Sequence, residues 1–117
     1  MPGSSQREGT AGERTAEQYL VSQGLQTVTR NYHCRTGELD LVMRQGNVLV
    51  FVEVRVRRHR GFGGALASVD SRKQRRLILA AQHYLQQTHW DGPCRFDVVG
   101  LDGHDRPEWI SNAFDAN

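Results

Sequence analysis

The alternation of apolar and polar residues is strongest in two neighbouring segments near the middle of the chain. Segment 38–44 is ELDLVMR and segment 48–56 is VLVFVEVRV. Apolar side chains at every second position are typical of β-strands, and Gly46 followed by Asn47 suits a two-residue hairpin turn. The pattern therefore predicts an antiparallel hairpin formed by these two segments.

This turn fixes which residues of the hairpin lie opposite each other. It places Asp40 across from Glu53 and Glu38 across from Arg55. One face is apolar and is expected to be a core face, with Leu39, Leu41, Met43, Val50, Val52, Val54 and Val56. The other face carries Glu38, Asp40, Val42, Phe51, Glu53, Arg55 and Arg57.

Two opposed carboxylates normally destabilise a sheet, so Asp40 and Glu53 need an explanation. Either a bound cation resolves the repulsion, or the charged residues form a solvated ion-pair lattice on an exposed face. The hairpin pattern by itself leaves both explanations open.

Helical spacing appears on both sides of the hairpin. Residues 10–23 predict a helix that ends at Gly24, with an apolar stripe of Ala16, Leu20 and Val21, on which Glu13 and Glu17 also lie. A second helix is predicted to begin after Asp70 or Ser71 as N-cap, and its single lysine, Lys73, lies in line with its apolar stripe. At this position Lys73 is expected either to snorkel to solvent or to reach the charged face of the sheet. That stripe consists of Leu77, Ile78, Ala80, Ala81, Tyr84 and Leu85, and Arg72, Arg75 and Arg76 lie outside it.

Two further strands complete the predicted order of elements. Segments 25–32 and 94–101 read as strands, and the pattern of 108–114 does not decide between a strand and a helical turn. The order helix, strand, strand, strand, helix, strand predicts an α/β fold with a mixed sheet and a parallel crossover around the second helix. Residues 1–9 are expected to be a disordered lead, and 10–117 a single domain.

The net charge of +2 conceals a strongly basic middle of the chain. Residues 30–76 carry eleven basic and four acidic side chains, whereas residues 91–117 carry two basic and six acidic ones. A concentrated positive field is typical of proteins with a polyanionic partner, although the preference for Arg over Lys could also reflect composition bias. The candidate nucleic-acid contacts are Arg57, Arg58, Arg60, Arg72, Lys73, Arg75 and Arg76.

Other classes of site and location receive little support. The N-terminal segment has no apolar core and no later run reaches membrane-spanning length, so we expect a cytoplasmic protein without membrane contact. His33, Cys34, His89 and Cys94 lack the paired spacing of a structural zinc site. GFGGAL at 61–66 lacks the Lys-Ser/Thr of a phosphate-binding loop and is interpreted as a mobile loop near the site.

Five ordered motifs resemble the YraN family of small bacterial proteins across roughly residues 9–114. They are GTAGERTAEQYL, GELDLV, VFVEVR, GG followed by SVDSRKQRRL, and RFDVV. That family is similar to archaeal Holliday-junction resolvases of the restriction-endonuclease-like superfamily. The superfamily signature is an acidic residue on one strand and Asp/Glu-x-Lys on the next, often with a Glu from the first helix.

The resemblance implies a restriction-endonuclease-like fold and a catalytic set of Glu13, Asp40, Glu53 and Arg55. Glu13, Asp40 and Glu53 are the implied ligands of Mg²⁺ or Mn²⁺, and their hard oxygen atoms are also what these ions prefer chemically. Arg55 stands where the superfamily usually has Lys. Because an arginine stays charged, it can orient a water or stabilise charge but cannot exchange a proton at this position.

The sequence therefore favours a divalent-metal-dependent endonuclease that hydrolyses phosphodiesters in DNA, including branched or structured DNA. One alternative is a nucleic-acid-binding protein of the same fold with weak or no catalysis, to which Arg55 points. Another is an interaction protein with a merely solvated charged face. The likeness to resolvases also implies a homodimer, since a four-way junction has two-fold symmetry.

Overall fold

The computed structural model describes residues 4–57, 64–103 and 106–116. Its elements are α1 (Ser4–Ser22), β1 (Gln26–Cys34), β2 (Gly37–Gln45), β3 (Val48–Val56), α2 (Gly64–Ala67), α3 (Ser71–Thr88), β4 (Cys94–Leu101) and β5 (Glu108–Phe114). These strands form one mixed sheet in the order β1-β2-β3-β4-β5, in which β3 and β4 pair in parallel and the chain between them includes α2 and α3. The predicted mixed α/β sheet is confirmed, and the undecided C-terminal segment is a strand.

The hairpin of β2 and β3 has the predicted register. Val42 pairs with Phe51 and Met43 with Val50, on either side of the turn at Gly46 and Asn47. Gly46 has a φ of 59°, a left-handed conformation that glycine adopts without steric cost.

Helices cover both faces of the sheet, so the hairpin is buried on both sides. Ala16 and Leu20 of α1 pack on one face, in a cluster that includes Leu41, Met43, Val50 and Val52. On the other face Tyr84 of α3 packs against Phe51 at right angles, with ring centroids 5.9 Å apart. The α3 residues buried there are Leu77, Ala80, Ala81 and Tyr84, as the helical spacing predicts.

Several details differ from the sequence-based expectations. Val56 was expected on the core face of the hairpin, but it is 52% exposed at the end of the third strand. The first helix extends back to Ser4, into the segment predicted to be disordered. Val21 was expected on the apolar stripe of that helix, but it is 49% exposed, because the apolar side chains of α1 that are buried in the cluster on the sheet are Ala16 and Leu20. Leu39 was expected on the face of Leu41, but it belongs to the cluster under α3.

The left-handed backbone conformation of Asn31 explains the position of Leu39. Asn31 has a φ of 51°, and the paired residues on either side of it are Arg30 with Leu41 and Tyr32 with Leu39. Between these two pairs, the side chains of β1 and β2 change to the opposite face of the sheet. Leu39 and Leu41 are two residues apart in β2, but they therefore lie on opposite faces. The β2–β3 ladder also ends here, with Leu41 opposite Val52.

The first turn of α3 begins at a well-formed cap. Asp70 has extended backbone dihedrals, and its carboxylate accepts a hydrogen bond of 2.8 Å from the N–H of Lys73. This is the usual way in which an aspartate satisfies a free N–H at a helix start. Among the described residues, no helix combines the length and the apolarity that crossing a bilayer requires.

Candidate functional site

Asp40 and Glu53 meet where β2 and β3 stop pairing. Beyond the last ladder pair, the side chain of Asp40 accepts a hydrogen bond of 2.9 Å from the backbone N–H of Val54. The carboxyl groups of Asp40 and Glu53 lie close enough together that each shifts the pKa of the other. Two acidic side chains from neighbouring strands therefore lie in contact, and we call them the carboxylate pair.

The carboxylate pair is costly in its charged form. Glu53 is only 5% exposed, and burial followed by the negative charge of Asp40 raises the pKa of Glu53 to about 7. Burial also raises the pKa of Asp40, against the opposing effect of the hydrogen bond from Val54. The pair consequently retains a proton more readily than two exposed carboxylates would.

Glu13 reaches the neighbourhood of this pair from α1. Burial raises the pKa of Glu13 to about 7, and the charges of Asp40 and Glu38 act in the same direction. Glu38 does not lie across from Arg55 as predicted, because the β2–β3 ladder ends before it. It pairs instead with His33 of β1, with 3.1 Å between Nδ1 and Oε2.

Two cations contact the same oxygen of Glu53. Arg55 Nη1 lies 3.2 Å and Lys73 Nζ lies 3.5 Å from Glu53 Oε2. Arg55 also donates from Nε to the hydroxyl of Ser68 and from Nη2 to the carbonyl of Ser68, both at 3.0 Å. Glu53 is thus held between a residue of its own strand and the first turn of α3.

The other predicted basic residues have different positions. Arg72, Arg75 and Arg76 are exposed on α3, and Arg57 is half-buried at the end of β3. Arg58 and Arg60 lie outside the described residues. The GFGGAL loop is described only from Gly64, where α2 begins, and the N–H of Ala65 donates to Glu108 at 3.0 Å.

The donor set fits a hard divalent cation bound by two carboxylates. Magnesium usually keeps several waters and takes only one or two protein carboxylates, which is what Asp40 and Glu53 can supply. Within the described ranges, no three His, Cys, Asp or Glu side chains converge as a group that could hold a metal ion. Glu13 therefore stays a predicted ligand. It is close enough to feel the charge of Asp40, but it does not converge with the carboxylate pair into a three-ligand site in the described part of the chain.

Comparison with known proteins establishes the family. Residues 12–101 match the family model described as "Uncharacterised protein family UPF0102". The chain belongs to the UPF0102 family. A UPF0102 protein of Pseudomonas putida (strain GB-1) is 55% identical over 122 positions, which cover 98% of this chain and 99% of that protein. A UPF0102 protein of Methylobacillus flagellatus is 53% identical, covering 92% of this chain and 96% of its own length. The YraN resemblance seen in the sequence is thereby confirmed.

The part of the chain matched to UPF0102 includes every residue of the candidate site. It also contains Asp97, for which the sequence left two roles open, support of the site or an ion pair with Arg95. The ion pair is present, with Arg95 Nε 2.9 Å from Asp97 Oδ1. Asp97 is fully buried and also accepts from the indole of Trp109 and the N–H of Asn112, so it joins β4 to β5.

Sequence reasoning missed the partner of Arg55. Nothing in the alternation of residues 48–56 could indicate that Ser68 fixes Arg55, since the two are separated by a loop. For Lys73 the sequence left two positions open, and the contact with Glu53 shows that its ammonium group reaches the charged face of the sheet.

Proposed function

We propose that this UPF0102 protein is a divalent-metal-dependent endonuclease of DNA with a restriction-endonuclease-like arrangement of its site. The observation that carries the proposal is the carboxylate pair at the end of the β2–β3 ladder, in which Glu53 is buried and Asp40 half-buried, with two cations beside Glu53. A solvated ion-pair lattice does not account for a glutamate that is 5% exposed. Two adjacent carboxylates, one of them buried, cost stability, and carboxylates with perturbed pKa values cluster at functional sites, which favours a chemical role for the pair.

The protein's own residues have separable roles in this proposal. Asp40 and Glu53 would hold Mg²⁺ or Mn²⁺, and Glu13 would orient waters around the ion from α1. A bound ion of this kind lowers the pKa of a water and neutralises charge on a phosphoryl group. The cations beside Glu53 would stabilise the additional negative charge on the phosphate as it reacts.

The basic helix surface next to the site supports a DNA substrate. Arg72, Arg75 and Arg76 are exposed on α3, the helix that also carries Lys73. Guanidinium groups bind phosphates in a two-pronged geometry, and such contacts give affinity without dependence on base sequence. Recognition of branched DNA and formation of a homodimer stay predictions from the resemblance.

The second candidate function is binding of nucleic acid without efficient hydrolysis. It is favoured by Arg55, which replaces the lysine of the superfamily signature and donates to Ser68 with two of its nitrogens. An arginine held in this way keeps the basic surface but contributes little to reaction at a phosphate.

The test compares duplex, single-stranded and four-way-junction DNA in Mg²⁺, Mn²⁺ and EDTA. We expect cleavage of at least one DNA form with either metal and none in EDTA. Asp40→Asn and Glu53→Gln should each weaken Mn²⁺ binding in calorimetry and lower cleavage by about 10²-fold or more, because each removes one ligand charge. Asp115→Asn, an exposed acid after β5, is the matched control and should change neither.

Two results would decide against the endonuclease. If both variants bind Mn²⁺ as tightly as wild type, the carboxylate pair is not a metal site. If wild-type protein binds DNA but cuts no form of it with either metal, the binding-protein alternative replaces the endonuclease.

A further inference from the structure

We propose that Lys73, and not Arg55, is the catalytic cation of the site, and that Arg55 is a positioning residue that acts through Glu53. This inference rests on the proposed function, because it assigns the group that contacts the reacting phosphate. It also differs from the assignment that the strand motif implies, in which the residue two positions after Glu53 has that role.

Lys73 is fixed in position by the beginning of α3. Its backbone N–H donates to the Asp70 carboxylate at 2.8 Å, and the next N–H, of Gln74, donates to the carbonyl of Asp70 at 2.9 Å. From this rigid turn its ammonium group reaches to 3.5 Å from Glu53 Oε2 while 32% of the side chain stays exposed. The charge is therefore adjacent to the carboxylate pair and still accessible from solvent.

A polar groove of about 480 Å³ opens beside Lys73, between the β1–β2 turn and α3. We call it the α3 groove. Its lining includes Arg35 and Thr36 from the turn and Lys73 and Arg76 from the helix. The acidic residue of the lining, Glu38, is paired with His33. A DNA strand lying in this groove would place its phosphates next to Lys73 and within the field of the neighbouring arginines.

Arg55 has a structural role that differs from the role of Lys73. Each of its three guanidinium nitrogens has a protein partner: Nε and Nη2 bind Ser68, and Nη1 binds Glu53. Ser68 in turn donates from its hydroxyl to the carbonyl of Ala65 at 2.6 Å. This chain of hydrogen bonds joins β3 to the segment before α3, and it holds Glu53 in place rather than offering donors to a ligand.

The proposed reaction is hydrolysis of one phosphodiester. A water oxygen forms a bond to phosphorus, and the bond from phosphorus to the ester oxygen of the departing strand breaks, leaving its electron pair on that oxygen. One proton of the water passes through solvent to the departing oxygen. The ammonium group of Lys73 stabilises the negative charge that develops on the nonbridging oxygens in the transition state, as cations already in place at an active site typically do.

The experiment measures single-turnover cleavage at saturating protein for Lys73→Gln and Lys73→Arg. We expect Lys73→Gln to lower the rate about 10²-fold or more with DNA affinity within about threefold of wild type, because the lost interaction acts on the transition state. Lys73→Arg should recover a large part of the rate, since it restores the charge. Arg106→Gln removes one exposed positive charge in the acidic part of the chain and should leave the rate unchanged.

A second readout does not depend on turnover. Because Lys73 is the only lysine in the sequence, labelling lysine with ¹⁵N gives a single side-chain ammonium resonance. Addition of junction DNA in Ca²⁺ should shift that resonance in wild type. Arg55→Gln should still show the DNA-induced shift, while its thermal midpoint falls because the links to Ser68 and Glu53 are lost.

The outcomes separate this inference from the proposed function. If wild type cuts DNA and Lys73→Gln cuts it at the same saturated rate, the assignment of Lys73 is wrong and the endonuclease stands. If wild type cuts no DNA, the endonuclease fails. In that case the catalytic assignment of Lys73 fails with it, and a DNA-induced shift of the ammonium resonance would show only that Lys73 contacts a phosphate.

Discussion

Glu53 combines deep burial with three charged or acidic neighbours, and the balance among them sets its behaviour. Arg55 and Lys73 both lie within 3.5 Å of its Oε2 and lower its pKa, whereas burial and Asp40 raise it. The net shift is upward, so the loss of hydration outweighs the attraction of the two cations. A glutamate in this state gains from a divalent cation, which would replace the lost hydration and remove the repulsion from Asp40.

This residue makes the stability of the metal-free protein depend on pH. The folded pKa of Glu53, about 7, exceeds its ordinary value of 4.5, so the folded state binds the proton more tightly than the unfolded state. Its contribution to stability is complete below pH 4.5 and is lost as the pH rises through 7. Glu53→Gln removes this titration. We therefore expect the variant to gain stability relative to wild type between pH 5 and pH 8.

Urea unfolding in EDTA at the two pH values measures this difference. Glu13 and Glu17 titrate in both proteins, so their contributions cancel in the comparison, whereas Asp40 titrates as one pair with Glu53 and its change is part of the measured difference. A gap between variant and wild type that is the same at pH 5 and pH 8 would show that Glu53 does not carry a raised pKa in the folded state.

At the scale of elements, the position of Glu13 depends on how closely α1 approaches the end of β3. Gly12 is buried, and a Cβ at that position would lie 2.4 Å from Cγ2 of Val56, well inside contact distance. Only a residue without a side chain permits this approach. The next residue along the helix is Glu13. The close contact between Gly12 and Val56 therefore also sets the distance between Glu13 and Asp40.

Gly12→Ala should therefore push α1 away from the sheet. Alanine favours a helix over glycine by about 1 kcal/mol, but forcing a methyl group into a packed contact typically costs 1–3 kcal/mol, so we expect a net loss of about 1 kcal/mol. Urea unfolding measures it, and the double variant Gly12→Ala/Val56→Ala should recover the loss. If Gly12→Ala is at least as stable as wild type, the close approach of α1 is not required.

The elements themselves could largely be predicted from the sequence, because they rest on local periodicity. The turn at Gly46 and Asn47 gave the register of β2 and β3, and from it the meeting of Asp40 and Glu53. Leu39 could not be placed correctly, since the change of face depends on the left-handed conformation of Asn31 in the neighbouring strand. The contacts of Ser68 and Lys73 also depend on how α3 packs on the sheet, which no local pattern specifies.

At the scale of the whole molecule, charge is divided along the chain in a way that the fold preserves. The first half of α3 carries four of the eleven basic side chains of residues 30–76, whereas the β2–β3 hairpin carries two basic and three acidic ones. The −4 of residues 91–117 lies on β4, β5 and their flanks. Buried pairs, such as Arg95 with Asp97, neutralise some of these charges locally. The arginines of α3 are exposed, so their field extends into solvent beside the carboxylate pair and the α3 groove.

Binding of DNA by this surface should depend steeply on salt. Each phosphate that an arginine neutralises releases a condensed counterion, so the logarithm of the binding constant falls linearly with the logarithm of salt concentration. Arg72→Gln and Arg75→Gln should each reduce the magnitude of that slope by about 1 for duplex DNA.

Arg106→Gln is the control from the acidic part of the chain, and its slope should match wild type. Fluorescence anisotropy at salt concentrations from about 50 to about 300 mM measures the slope for wild type and for each of the three variants. A wild-type affinity that does not change with salt would mean that the basic surface does not contact phosphates, and it would favour an interaction protein over either DNA-directed function.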